Sequence, residues 1–99
     1  MGGHSGWDEL RARRMAEPDA QDAYEAARLA FELGRSVRAL RQQHGWSQSE
    51  LARAAGMTQS AVARFEAGGA VPTLPVLERL ARALGVELAV SFSPRAAAA

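Results

Sequence analysis

The 99-residue chain contains no cysteine, so disulfides and thiolate metal sites are excluded, and its two histidines, His4 and His44, stand too far apart to replace them. Lysine is also absent, and all twelve basic residues are arginine. No apolar run approaches the roughly 18 to 20 residues that span a bilayer, and the N-terminus MGGHSGWDELRARR lacks the apolar centre of a signal peptide. A cytoplasmic location with no membrane contact is expected. Nucleotide-binding glycine loops and converging acid, base and nucleophile sets are missing as well, which argues against catalysis and against any cofactor or bound metal.

What is present suits one small domain. With 47% hydrophobic residues the chain can bury a modest core, but not a deep cavity with a scaffold around it. The net charge of +1 conceals a division at Gly34: residues 1–34 hold four arginines against seven acids, net −3, and residues 35–99 hold eight against four, net +4. Such an asymmetry suggests that the two parts face different partners.

Helical signals dominate. Ser5 can cap a first helix that ends near Pro18, and a second, alanine-rich run leads from Pro18 or Asp19 to about His44. Gly34 lies inside that run and leaves a kink, a break or an unbroken helix open. Ser47 caps a helix over 48–55, Gly56 and Met57 form a turn, and a further helix covers 59–67 before Gly68 and Gly69. Thr73 caps the next, with Pro75 in its first turn and Leu77, Leu80, Ala81 and Leu84 on one stripe. Beyond Gly85 the period changes. Val86, Leu88, Val90 and Phe92 alternate with smaller or polar residues, which predicts a half-buried β-strand that needs a partner, followed by a disordered PRAAAA tail.

Two helices joined by so short a turn need a small residue where they meet and a residue tolerating positive φ, supplied by Ala52 and Gly56. Leu51, Val62 and Phe65 then point into the core. This arrangement resembles the helix-turn-helix of the phage repressor and Cro class, the XRE family. The resemblance runs through RALRQQHGWSQSELARAAGMTQSAVARFEAGGAVPTLPVLERLARALGV and includes Gln48, Leu51-Ala52, Gly56, Gln59-Ser60, Glu66-x-Gly68, Pro72-Thr73-Leu74 and Leu80-Ala81.

The resemblance implies an all-α fold: a five-helix lambda-repressor-like domain over 35–85, an acidic N-terminal helical extension over 1–34, and a C-terminal strand and tail over 86–99. It also implies a homodimer on a palindromic double-stranded DNA operator, with the second helix of the motif in the major groove. Gln59 would then read a base, and Gln48 would touch a phosphate and brace it. Thr58, Ser60, Ala63 and Arg64 would complete the groove-facing row, and Arg53 would approach the DNA backbone. Arg41 and Glu66 would form a buried structural ion pair.

The segment WDELRARRMAEPDAQDAYEAARLAFELGRSVRALR further resembles HigA-type antitoxins, autorepressors that also bind a RelE- or HigB-like ribonuclease toxin. Trp7, Leu10, Met15, Tyr24 and Phe31 could anchor such a partner, although Tyr24 and Phe31 are expected to pack on the chain's own core. Two alternatives stand beside the antitoxin: a free-standing repressor whose extra helices enlarge its core, and a protein-interaction module, which would show no salt-sensitive DNA binding.

Overall fold

The computed structural model describes residues 20–95. Four helices follow one another: α1 (Ala20–Gln43), α2 (Gln48–Ala55), α3 (Gln59–Glu66) and α4 (Leu74–Leu84). The helix expected after Ser5 lies outside the described residues.

Helix α1 runs unbroken through Gly34 for 24 residues, about 36 Å at 1.5 Å per residue. Its first half is rich in alanine and laced by Arg28, which pairs with Glu25 at 3.0 Å and Glu32 at 2.9 Å. Only Gly34 and Val37 of this helix are fully buried. The remaining helices begin on side-chain caps. Ser47 accepts from the Glu50 N–H while Glu50 accepts from the Ser47 N–H, a reciprocal box that satisfies two otherwise orphaned donors. Thr58 accepts from the Ala61 N–H and Thr73 from the Val76 N–H.

The core forms where the second half of α1 meets α2, α3 and α4. Leu51, Val62 and Leu80 are its most enclosed side chains, surrounded by Val37, Ala52, Ala55, Phe65 and Leu84. Each fully buried aliphatic side chain contributes about 1.5–3 kcal/mol. Between α2 and α3, Gly56 adopts φ 68° and closes α2, and the Met57 N–H reaches back to the Ala52 carbonyl at 2.8 Å. A side chain with a Cβ is strained at that φ, so the tight turn depends on glycine.

Three expectations are corrected here. The described residues contain four helices rather than five, because residues 35–43 continue the helix that begins at Ala20 and form no separate helix of the 35–85 domain. No strand forms over 86–92: among the described residues there is no second strand to supply a hydrogen-bonding edge, and alternation of side chains alone does not hold a strand together. Val90 and Phe92 stand exposed accordingly. Finally, Tyr24 and Phe31 do not pack into the core. They remain 67% and 52% accessible, although the α1 backbone at Phe31 runs close against Gly68.

Candidate nucleic-acid interface

The exposed end of the helix-turn-helix is built on a buried ion pair. Arg41, in the last turn of α1, donates from Nε to Glu66 Oε2 at 2.7 Å and from Nη2 to Glu66 Oε1 at 3.0 Å. Its remaining Nη1 donates to the Trp46 carbonyl at 2.7 Å. The side chains retain only 12% and 3% of their exposure, so the pair is desolvated and fork-on-fork. The hydrogen bond to Glu66 pushes the Arg41 pKa above its ordinary value, against the opposing effect of burial. Removing one partner would strand a buried charge at a cost of about 3–5 kcal/mol.

From this pair a chain of amides leads to the surface. Gln48, the first residue of α2, donates from Nε2 to Glu66 Oε1 at 3.2 Å, and Gln59, the first residue of α3, donates from Nε2 to Gln48 Oε1 at 2.9 Å. The two helix N-termini are thereby tied side by side, each with free backbone N–H groups that favour an anion. Gln59 and Ser60 are exposed beside them.

The other expected residues divide by role. Thr58 is the N-cap of α3, its hydroxyl oxygen already engaged by the Ala61 N–H. Ala63 is half-buried, whereas Arg64 is exposed and enters no ion pair among the described residues. The Arg64 stem runs beside Gly69, where an added Cβ would stand 3.2 Å from Arg64 Cγ. Arg53 is exposed in the last turn of α2; the Ser47 hydrogen bonds and, less strongly, the Arg53 charge hold the Glu50 carboxyl below its ordinary range.

Two contacts behind this surface carry no sequence signal. One is the Gln48–Glu66 bond. The other is His44, whose ring nitrogen Nε2 lies 2.8 Å from the Leu84 carbonyl and must donate to it, while the ring faces Trp46 at 4.4 Å. It closes the C-terminal end of α4 against the end of α1, a long-range match that neither periodicity nor capping rules reveal. Among the described residues no cluster of three potential metal ligands occurs, and no helix is long and apolar enough to cross a membrane.

Comparison with known proteins agrees with this geometry. The helix-turn-helix family pattern (HTH_3) matches residues 37–90. The HTH-type transcriptional regulator SutR of Escherichia coli is 36% identical over 66 residues, which are 67% of this chain and 37% of that protein's length. Among solved structures, the restriction-modification controller protein C.AhdI of Aeromonas hydrophila superposes with a TM-score of 0.57 at 34% identity, over 59% of this chain and 88% of its own. A chain of the HipA-HipB-O2-O3 complex does so with a TM-score of 0.56 at 28% identity, over 66% and 92%.

Proposed function

Because the chain belongs to the XRE-type helix-turn-helix family, we propose that it is a sequence-specific DNA-binding transcriptional repressor that docks α3 in the major groove of double-stranded DNA. The observation that carries this reading is the amide pair Gln48–Gln59, held at the mouth of the two helices by a buried ion pair. An anchored amide is suited to base edges, the exposed Arg64 of the same helix to a base or a phosphate, and the two helix N-termini to phosphate.

The DNA-contacting groups lie within residues 35–85, with Leu33 and Gly34 completing their core, and the chain acts as a homodimer on a palindrome. One short helix buries too little for high specificity, and two of them spaced by one turn of DNA, about 34 Å, double the contact. Operator binding measured by fluorescence anisotropy over a range of salt concentrations tests the reading. Gln59→Ala should relax sequence preference, and Arg64→Ala should weaken binding by about 1–3 kcal/mol. If both variants bind the operator like the wild type at physiological salt, α3 is not the reading helix.

A second reading adds a protein partner. The likeness to a chain of a complex with HipA, together with the first half of α1 where Tyr24 and Phe31 stand exposed beside Glu25 and Glu32, supports a toxin–antitoxin role over a free-standing regulator. In this reading acidic and apolar side chains within residues 7–33 cover the positive surface of a RelE- or HigB-like toxin. Removal of residues 1–17, with rescue of cells expressing a toxin gene adjacent to this one, tests it. Undiminished rescue clears those residues of the role, and absence of such a gene removes the antitoxin reading.

A further inference from the structure

Helix α3 closes on two backbone hydrogen bonds. The Gly68 N–H donates to the Phe65 carbonyl at 3.0 Å and the Gly69 N–H to the Arg64 carbonyl at 2.9 Å, with Gly68 at φ 79°. This is the Schellman arrangement, in which the second residue past the cap lies over the residue that its N–H reaches, and an apolar contact between those two side chains commonly completes the helix end. Here the two positions hold Gly69 and the exposed Arg64, so no side chain at 69 covers the arginine stem. A Cβ at 69 would stand 3.2 Å from Arg64 Cγ, tighter than ordinary van der Waals contact.

Two observations decide which side would give way to such a Cβ. At Gly68 an added Cβ would stand 3.0 Å from Phe31 Cα and 3.3 Å from its nitrogen, so the α1 backbone bears on the loop, and the two hydrogen bonds hold that loop at the helix end. Gly69, unlike Gly68, has no positive φ that would hold its position to glycine. A side chain at 69 is therefore tolerated by the backbone, and what moves is the Arg64 stem.

We propose that Gly69 is a positioning residue for Arg64: its missing side chain keeps open the space that the Arg64 stem occupies, and so aims the guanidinium at a guanine. Arg64 stands one turn along α3 from the exposed Ser60, on the same face. A guanidinium meets guanine O6 and N7 through two N–H groups at once, a fit that tolerates only about 0.5 Å of displacement. A shift of a few tenths of an ångström at Cγ is levered outward by the bonds beyond it.

Arg64 can play this part only if α3 lies in the groove as proposed above, and the experiment separates the two. Binding sites are selected from a randomised duplex library with the full chain, and the position whose preference disappears in Arg64→Ala is taken as the Arg64 contact. There the wild type should prefer guanine by on the order of tenfold. Gly69→Ala should reduce that preference to within about twofold, leave other positions unchanged, and add nothing in the Arg64→Ala background. Its melting temperature should stay level or rise, since alanine restricts the unfolded chain more than glycine does. In the DNA-free protein, the three-bond couplings that report Arg64 χ1 should differ between wild type and Gly69→Ala. Unchanged couplings, or a guanine preference that stays near tenfold in Gly69→Ala, overturn the proposal while the DNA reading stands. So do a lowered melting temperature, which places the clash in the fold, and a loss of affinity from Gly69→Ala that persists in the Arg64→Ala background. An Arg64→Ala variant that weakens all sequences equally puts Arg64 on a phosphate and overturns it too. If the wild type selects no sequence, the DNA reading fails and this proposal with it.

Discussion

At Gly34 the absence of one methyl group sets how closely two helices approach. A Cβ there would stand 2.5 Å from the Phe65 carbonyl oxygen and 2.6 Å from that of Glu66, both backbone atoms that cannot swing aside. Two helical turns further along α1, Arg41 reaches Glu66, so the close crossing at Gly34 sets the reach of the ion pair. Gly34→Ala should gain about 1 kcal/mol in helix propensity and lose more to displacement of the α3 end. The net expectation is a destabilisation of about 1–3 kcal/mol, read by thermal denaturation, with weaker operator binding. An unchanged or raised melting temperature would mean that the crossing relaxes without cost. Nothing in the sequence distinguishes this glycine from one that merely weakens a helix, because what it touches is some thirty residues away. The Arg41–Glu66 pair was legible only through family resemblance, and the Gln48–Glu66 bond not at all. Leu51, Val62 and Phe65 were plain, since apolar spacing on a helix is a local signal.

Whole elements were legible in the same measure as their determinants are local. Ser47, Thr58 and Thr73 begin helices because a hydroxyl on the residue just before the first turn can reach the free N–H three residues on, and each does so. The segment after Gly85 misled because a strand is a relation between two segments, and alternation describes only one. Helix α2 also carries a pH dependence. The Ser47 N–H, then the Ser47 hydroxyl and the nearby Arg53, hold the Glu50 carboxyl below its ordinary value of 4.5. A carboxyl depressed in the folded state contributes stability above its unfolded pKa and loses it as the pH falls through the folded value. Thermal melts between neutral pH and pH 3 should therefore show a loss below about pH 4.5 that is shallower in Glu50→Gln, whose side chain accepts the same hydrogen bond without titrating. Ser47→Ala should cost about 1 kcal/mol at neutral pH. If Glu50→Gln follows the wild-type acid limb point for point, the capping box contributes nothing to the pH dependence.

On the scale of the molecule, α1 belongs to two bodies at once. From Leu33 onward it is part of the core, while Tyr24, Leu29 and Phe31 in its first half are each more than half exposed. What holds that first half helical is alanine content, the exposed pairs of Arg28 with Glu25 and Glu32, worth only about 0.3–0.5 kcal/mol each, and the approach of the 68–72 loop to Ala26, Ala27, Ala30 and the Phe31 backbone. Removing residues 1–28 should therefore leave the helix-turn-helix folded, with a melting temperature lowered by no more than roughly 4–8 °C, the equivalent of about 1 kcal/mol in a domain of this size. A cut after residue 36 should abolish folding, because it takes away Leu33 and Gly34 at the crossing with α3. The shorter truncation also changes the electrostatics. It deletes six acids and four arginines, which moves the net charge from +1 to +3. Attraction to phosphate rises with positive charge and is screened by salt, so DNA affinity of the 29–99 chain should increase a few-fold at low ionic strength and converge on the full chain near physiological salt. Selectivity among sequences should not change, since α3 with Gln59 and Arg64 is untouched. Unfolding of the 29–99 chain would show that the first half of α1 is part of the folding unit. A fall in affinity at low salt would show that residues 1–28 themselves touch DNA, which would leave them no role as the surface reserved for a protein partner.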